Sequence, residues 1–278
     1  MLNLILAICS SAMVAIVMRF AQPRVSNPTG LLAGNYITCA LVALVLSFPA
    51  RQIGSVQGIP LAIGLGAVNG LIYLGGFALM QWSTRHNGVV LSSIFMKLGI
   101  LVSMLISIVW FRELPTVLQT IGFVLAVSAI VIINYQKGTS LSQGSWVLLL
   151  MLCMSGMGDG MSKIYEVYGN PSLENIFLFF TFASALVLCL GLMVYKKERL
   201  GMRELGYGAI LGIPNFFSSL FLLKALSSVP GVIAFPTYSV ATILVVALAG
   251  LLVFREKLEK KQIIGAVIIC VALVLLNL

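Results

Sequence analysis

The chain contains two stretches, 143 positions apart, that repeat each other. Residues 111–134 read FRELPTVLQTIGFVLAVSAIVIIN and residues 254–277 read FREKLEKKQIIGAVIICVALVLLN, with ten of the 24 positions identical. Each copy begins at the end of one apolar stretch, crosses a charged turn and runs through the next apolar stretch. A repeat of this kind predicts a chain built from two related halves, at 1–135 and 144–278, joined by a connecting loop at 136–143.

The composition predicts that lipid is the solvent for much of this chain. Hydrophobic residues make up 60% of it and charged residues only 9%, and the mean hydropathy is +1.09. A soluble domain of this size does not bury so much apolar surface. The net charge of +9 is explained by basic loops on one side of a membrane, so we expect no nucleic-acid partner.

Ten apolar runs are each about as long as the roughly 20 residues that a membrane-spanning helix needs. They are continuous, whereas a membrane β-barrel shows alternating segments of about ten residues. The predicted fold is therefore an all-α integral membrane protein, with helices at about 2–18, 29–49, 59–81, 88–111, 116–135, 145–166, 173–195, 205–225, 231–254 and 260–277.

The distribution of basic residues predicts how these helices are oriented. The odd-numbered connections hold twelve Lys and Arg, the even-numbered ones two, and three lie within helices. Because cytoplasmic loops are rich in Lys and Arg, we expect both termini outside. Five crossings separate Arg112 from Arg255, so the two halves have opposite orientations. Such a 5 + 5 inverted repeat is typical of secondary transporters that work by alternating access.

Two short motifs recur in the halves and point to a family. Glu113 is followed nine residues later by Gly122, as Glu256 is by Gly265, and Pro236 lies in the penultimate helix. With these motifs the chain resembles, over essentially its whole length, the ten-helix drug/metabolite transporter superfamily in its EamA-type branch. The resemblance implies that helices 1–4 and 6–9 surround a central cavity. It also implies that helices 5 and 10 brace the bundle or form a homodimer.

The resemblance specifies the fold better than the substrate. Members of the superfamily move amino acids, nucleobases, sugars, quaternary amines or drugs across membranes. The first half departs from the family pattern at two places: Ser93 stands where a proline is expected, and Gln81-Trp82-Ser83 replaces an Ala-Leu element.

Lys97 is the first candidate for a functional residue. It lies about ten residues into the fourth predicted helix, roughly 15 Å deep in a hydrocarbon core about 30 Å thick. An ionisable residue at that depth costs about 2.5–3.5 kcal/mol and usually faces a cavity or a partner. We expect it to contact substrate or to take part in coupling. The alternatives are a purely structural pair with a carboxylate, or a misplaced helix boundary.

The sixth predicted helix carries polar residues on one face, since they are spaced by three and four positions: Ser155, Asp159, Ser162, Lys163 and Glu166. Asp159 is the predicted counter-charge of Lys97 or Lys163 and the predicted proton carrier. Lys163 and Glu166 lie near the helix end, where an interfacial pair is the alternative to a role in transport.

Asn69 and Asn215 lie near the middle of helices 3 and 8 and are approximate repeat mates. Amides at that depth need partners, so the pair predicts either a substrate site on the repeat axis or a bond between helices. Four further residues complete the candidate set as polar or aromatic wall: Asn35, Tyr73, Ser93 and Tyr238.

The sequence lacks the motifs of several other classes. There is no GxxxxGK[ST] for ATP, and the single histidine leaves no catalytic or metal-binding cluster, so we expect no cofactor and no metal. The leading hypothesis is a secondary transporter of a small polar metabolite in the cytoplasmic membrane, driven by protons or by exchange. One alternative is an exporter of lipophilic or quaternary cations. A membrane enzyme or a non-transporting interaction protein is a more distant one.

Overall fold

The computed structural model describes residues 1–47, 58–87, 89–134, 145–252 and 260–278. The predicted connecting loop at 136–143 and the charged turn that holds Arg255 and Glu256 lie outside these residues. The described part contains eleven α-helices: α1 Leu2–Ala21, α2 Pro28–Ser47, α3 Ile59–Asn87, α4 Val89–Lys97, α5 Ile100–Val109, α6 Val117–Asn134, α7 Ser145–Tyr168, α8 Glu174–Tyr195, α9 Met202–Leu226, α10 Gly231–Leu252 and α11 Lys260–Leu276.

The apolar runs form helices because a helix satisfies its own backbone hydrogen bonds, which lipid cannot do. By length and composition, seven described segments can cross a membrane: Leu2–Arg24, Pro28–Ser47, Ile59–Thr84, Trp146–Tyr168, Pro171–Tyr195, Met202–Leu226 and Gly231–Leu252. Three shorter apolar segments accompany them: Ile94–Val109, Val117–Ile133 and Gln262–Leu276. The chain is therefore an all-helical, multi-pass membrane protein in the part that is described.

One predicted helix is not continuous. The sequence predicts a single helix at about 88–111, but α4 ends at Lys97 and α5 begins at Ile100. The break falls at Gly99, a residue with poor helix propensity. Pro214 and Pro236, by contrast, lie inside the continuous helices α9 and α10.

The described residues form two compact units. Unit 1 comprises Met1–Leu74 and Met161–Ser227, and unit 2 comprises Gly75–Gly160 and Ser228–Leu278. Each unit therefore takes residues from both halves of the sequence.

In unit 1, α2 and α8 pack side by side in opposite directions. Near the start of α2, the Cys189 thiol donates to the Thr29 carbonyl at 3.4 Å. Near its end, the Asn175 side-chain NH₂ donates to the Leu46 carbonyl at 3.2 Å. Residues near the start of α2 therefore contact residues near the end of α8, and residues near the end of α2 contact the start of α8. The two helices are antiparallel.

Two glycine-rich segments of unit 1 share one pattern, GLGAVNG at 64–70 in α3 and GYGAILG at 206–212 in α9. A Cβ atom added at Gly66 would lie 2.5 Å from the Phe177 carbonyl oxygen, and one added at Gly208 would lie 2.7 Å from the Leu31 carbonyl oxygen. Phe177 and Leu31 are 146 positions apart. Helix α3 therefore packs on α8 in the same way that α9 packs on α2.

Unit 2 shows the same reciprocity between α6 and α11. A Cβ atom at Gly122 would lie 3.0 Å from the Ala272 carbonyl oxygen, and one at Gly265 would lie 3.6 Å from the Ala129 carbonyl oxygen. These four residues are two pairs of repeat mates, and the contacts run in opposite order along the two helices. Helices α6 and α11 are therefore antiparallel, and each presents the same surface to the other.

Candidate functional site

Two of the predicted amides of unit 1, Asn35 and Asn215, lie at the crossing of α2 and α9. The Asn215 side-chain NH₂ donates to the Asn35 side-chain carbonyl at 3.2 Å and to the Cys39 sulfur at 3.7 Å. The Cys39 thiol donates to the Gly212 carbonyl at 3.2 Å. Asn35 is 2% exposed, so a buried polar group joins the two helices where the glycines allow close approach.

Aromatic rings surround Phe182 in the same unit. Tyr36 and Tyr73 stack on it with ring centroids 6.4 and 6.3 Å away, and Phe216 tilts against it at 6.3 Å. Phe182 is not among the candidate residues predicted from the sequence. A phenylalanine inside an apolar run carries no sequence signal that separates a site wall from ordinary core.

Asn69 is buried at 1% exposure, and its side-chain oxygen has no hydrogen-bond partner among the described residues. The reciprocal glycine contacts align α3 with α9 at an offset of 142, since Gly66 matches Gly208. In that register Asn69 matches Leu211, and Asn215 matches Tyr73. The interpretation of Asn69 and Asn215 as repeat mates is therefore wrong by four residues, or about one helical turn.

Lys163 and Glu166 form an ion pair, with the Lys163 ammonium 2.8 Å from a Glu166 carboxylate oxygen. Lys163 is 6% exposed. This is the geometry of the paired alternative that the sequence analysis left open. Lys163 thus has a carboxylate partner three residues along its own helix, and that partner is not Asp159.

In unit 2, Lys97 is the last residue of α4, at the break before α5. There the backbone bonds span three residues instead of four: the Gly99 amide donates to the Met96 carbonyl at 3.2 Å, and the Leu101 amide to the Leu98 carbonyl at 2.9 Å. The Lys97 side chain is exposed. A cation at this position is favoured by the partial negative charge at the C-terminal end of α4.

Helix α7 supports the break directly. The Ser155 hydroxyl donates to the Met96 carbonyl at 3.0 Å. A Cβ atom at Gly99 would lie 2.9 Å from the Gly156 amide nitrogen, so the backbones touch at this crossing. Glycine at both positions is what permits the contact.

Asp159 follows Ser155 by one helical turn on α7 and is partly buried. Within the described part of the chain, the ion pairs include no bridge between Asp159 and Lys97. The expectation that Asp159 is the direct counter-charge of Lys97 or Lys163 is therefore not met in this conformation.

The remaining candidates of unit 2 are Ser93 and Tyr238. Ser93 lies in α4, and its side chain is outside the described atoms. Tyr238 lies in α10 two residues after Pro236, and its carbonyl accepts a hydrogen bond from the Thr242 hydroxyl at 2.7 Å.

Glu113 has a role that the sequence analysis did not assign. Its carboxylate accepts a hydrogen bond from the Val232 amide at 3.2 Å, in the first turn of α10. A carboxylate at a helix N-terminus satisfies a free amide and complements the helix dipole. The repeated glutamate of the first half thus caps a helix of the second half.

Comparisons with known proteins agree with this architecture. The EamA-like transporter family matches residues 1–135 and 142–278. A curated protein of Haemophilus influenzae, described as uncharacterized, is 26% identical in an alignment 278 positions long. The alignment covers 95% of this chain and 94% of the relative. A crystal structure with 14% sequence identity superposes with a TM-score of 0.77 over 99% of this chain and 98% of that one, a likeness of fold alone. Since the family matches both halves of the sequence, the chain belongs to the EamA-like transporter family.

Proposed function

We propose that this protein is a secondary transporter that moves a small polar metabolite across the cytoplasmic membrane by alternating access. Its ten apolar segments are proposed to form two inverted five-helix repeats. The observation that carries the proposal is the reciprocal packing of repeat-related helices. In unit 1, α3 packs on α8 as α9 packs on α2, and in unit 2, α6 and α11 present matching surfaces to each other.

Reciprocal antiparallel contacts are what an inverted repeat requires. A two-fold axis in the membrane plane exchanges the halves and reverses helix direction. The two such pairs, α2 with α8 and α6 with α11, both run antiparallel. The packing of α6 on α11 within one chain also supports a bracing role for the fifth and tenth spans. We propose that the outer faces of these two spans form the contact of a homodimer.

The substrate-contacting role is assigned first to Lys97. Its mate in the other half is Val240, which is fully buried in an apolar cluster, so the lysine is specific to the first half. It lies at a helix break, and discontinuous helices present free backbone groups and helix-dipole ends to ligands. Lys97 would bind a carboxylate or another anionic group of the solute, and Asp159 would carry the proton.

The test is uptake into liposomes that contain the purified protein. A panel of labelled amino acids, organic acids, nucleobases and amines is offered, with and without a proton gradient. For the transported solute, Lys97→Ala is expected to lower the initial rate about tenfold or more. Lys224→Ala is the matched control, because it removes the same charge from an exposed position near a helix end. Equal rates in wild type and Lys97→Ala contradict the assignment.

The second candidate is export of lipophilic or quaternary cations. The stack of Tyr36, Tyr73 and Phe182 favours it, because aromatic faces attract cations. Under this alternative, tetraalkylammonium ions are transported, Lys97→Ala does not slow the flux, and Tyr73→Ala does.

A further inference from the structure

One end of unit 1 carries a cavity of about 490 Å³, which we call the basic cavity. Its volume falls within the usual range of small-ligand pockets. The connection between α1 and α2 supplies one wall, and the first two turns of α9 supply the other. The lining residues are Pro23, Arg24, Val25, Ser26, Arg203 and Tyr207.

We propose that the basic cavity binds a phosphate group, presented either by the headgroup of an anionic lipid or by a soluble phosphate. The proposal is independent of the transport site, since its residues are absent from the candidates discussed above. Three observations support it. The cavity has one guanidinium group on each of two walls, hydrogen bonds hold these walls together, and the cavity lies at the ends of the helices.

The two walls are fastened to each other. The Ser26 amide donates to a Glu204 carboxylate oxygen at 3.1 Å, and Glu204 is only 8% exposed. The Asn27 side-chain NH₂ donates to the Arg199 carbonyl at 3.4 Å. These bonds hold the α1–α2 connection against the start of α9, so a ligand would enter a preformed site.

The arginines are the groups that match phosphate. Guanidinium forks bind phosphate oxygens through two parallel hydrogen bonds. Arg24 uses one donor on the Phe20 carbonyl at 2.6 Å, and its guanidinium carbon lies 5.7 Å from the centre of the Phe20 ring. Five N–H groups are available on each guanidinium, so this contact positions Arg24 and leaves donors for a ligand. Ser26 and Tyr207 add hydroxyl groups to the lining.

Tyr207 is held in place by the unit's core. It packs against a cluster of Ala21, Leu31 and Leu211, which ties the cavity floor to α1, α2 and α9. The ring therefore does not need to be ordered when a ligand binds.

The charges around the basic cavity favour an anion. The two connections and their flanks, at 19–26 and 196–204, carry six basic and two acidic residues. One of the acidic residues, Glu204, has an oxygen engaged by the Ser26 amide. The cavity also lies where α1 ends and where α2 and α9 begin, which is the level of lipid headgroups for helices that span the hydrocarbon core. Basic pockets at this level bind anionic headgroups.

The experiment is thermal unfolding of the detergent-purified full chain during titration with dioleoylphosphatidylglycerol, dioleoylphosphatidylcholine or inorganic phosphate. A ligand that binds the folded state raises the midpoint with its concentration. We expect phosphatidylglycerol to stabilise the wild type and the Arg24→Gln/Arg203→Gln variant to need about tenfold more lipid, or more, for the same shift. Lys196→Gln/Lys197→Gln removes two charges at the same end, outside the cavity lining, and is expected to respond like wild type.

The arms of the titration identify the source of the phosphate. A response to inorganic phosphate that the arginine variant loses assigns a soluble ligand, and a response to phosphatidylglycerol alone assigns a lipid headgroup. The proposal is overturned if phosphatidylcholine stabilises equally, or if the two double variants respond alike. If the double arginine variant elutes as an aggregate, the single variant Arg203→Gln replaces it in the titration. The Arg24→Lys/Arg203→Lys variant keeps the charge without the forks and is expected to bind with intermediate strength.

Discussion

The hydroxyl of Ser155 links α7 to the α4–α5 break through one hydrogen bond, to the Met96 carbonyl at 3.0 Å. Removing it in Ser155→Ala leaves that carbonyl without this donor. We expect a loss of about 0.5–1.5 kcal/mol in the free energy of unfolding. Reversible unfolding in mixed micelles, followed by circular dichroism, measures the change.

Ser128→Ala is the matched control for that experiment. The Ser128 hydroxyl donates to the Val124 carbonyl of its own helix at 2.8 Å, where the backbone bonds of the helix are already in place. Its removal is expected to change stability by less than about 0.5 kcal/mol. If both alanine variants lose the same amount, the Ser155 bond does not stabilise the break.

At the scale of elements, the matching glycine patterns of α3 and α9 allow a test of whether these glycines are needed for close helix packing. Alanine at Gly70 or Gly212 would push a methyl group into the backbone of the neighbouring helix, at the Thr181 and Asn35 carbonyls. We expect each substitution to destabilise the protein by about 1–3 kcal/mol, because neither backbone can move away cheaply. The same unfolding measurement in mixed micelles applies.

Each helix contains its own control. A Cβ atom at Gly64 of α3, or at Gly206 of α9, meets nothing within 4 Å. Gly64→Ala and Gly206→Ala are therefore expected to be neutral, or to stabilise by up to about 1 kcal/mol through helix propensity. Because Gly64 and Gly206 are repeat mates, the two controls should behave alike. A large loss in either would show that the close contacts do not explain the glycines.

The same elements show how far sequence reasoning reaches. The apolar runs predicted the positions of the helices because length and hydropathy are local properties. The repeat at 111–134 and 254–277 predicted related halves because whole segments are conserved between them. The sequence-based alignment of α3 with α9 is wrong because it pairs the polar residues Asn69 and Asn215. The helix contacts that set the true alignment are made by glycines. The break at Gly99 packs against Gly156 and Ser155 of another helix. A glycine alone does not reveal such a break, because other glycines, such as Gly66 and Gly208, lie inside continuous helices.

The cap formed by Glu113 illustrates a second limit. The motif was visible in both halves, and the resemblance to a family gave it weight. Its partner, the Val232 amide, lies 119 residues away in the chain, and only the fold brings it near. The sequence thus identified Glu113 as a notable residue but did not predict its role as a helix cap. For Lys97 and Asp159 the sequence predicted roles in transport, and flux measurements test those roles.

At the scale of the whole molecule, the two ends of unit 1 differ in charge. The bonds from Ser26 to Glu204 and from Asn27 to Arg199 mark one end, and the bond from Asn175 to Leu46 marks the other. The 20 residues of α2 separate these ends by about 30 Å, the thickness of a hydrocarbon core. The first end carries six basic residues, which are Arg19, Arg24, Lys196, Lys197, Arg199 and Arg203.

Among the described residues, the opposite end of unit 1 holds fewer basic charges, and its two lysines each lie near an acidic residue. Lys163 pairs with Glu166, and the charges of Lys224 and Glu174 attract each other. The positive-inside rule therefore predicts that the first end lies in the cytoplasm. Since α1 ends there, we expect the N-terminus outside, as the loop count of the whole sequence also predicts.

Single-cysteine labelling tests that orientation. In a variant whose five native cysteines are replaced, Ser172→Cys and Lys196→Cys each place one exposed thiol at opposite ends of α8. A membrane-impermeant maleimide added to intact spheroplasts is expected to label Ser172→Cys at once and Lys196→Cys only after permeabilisation. The reversed pattern would place the basic end outside and move the basic cavity to the outer leaflet. Labelling of both thiols in intact spheroplasts is incompatible with α8 as a membrane-spanning helix, so the pair tests the span as well as its direction.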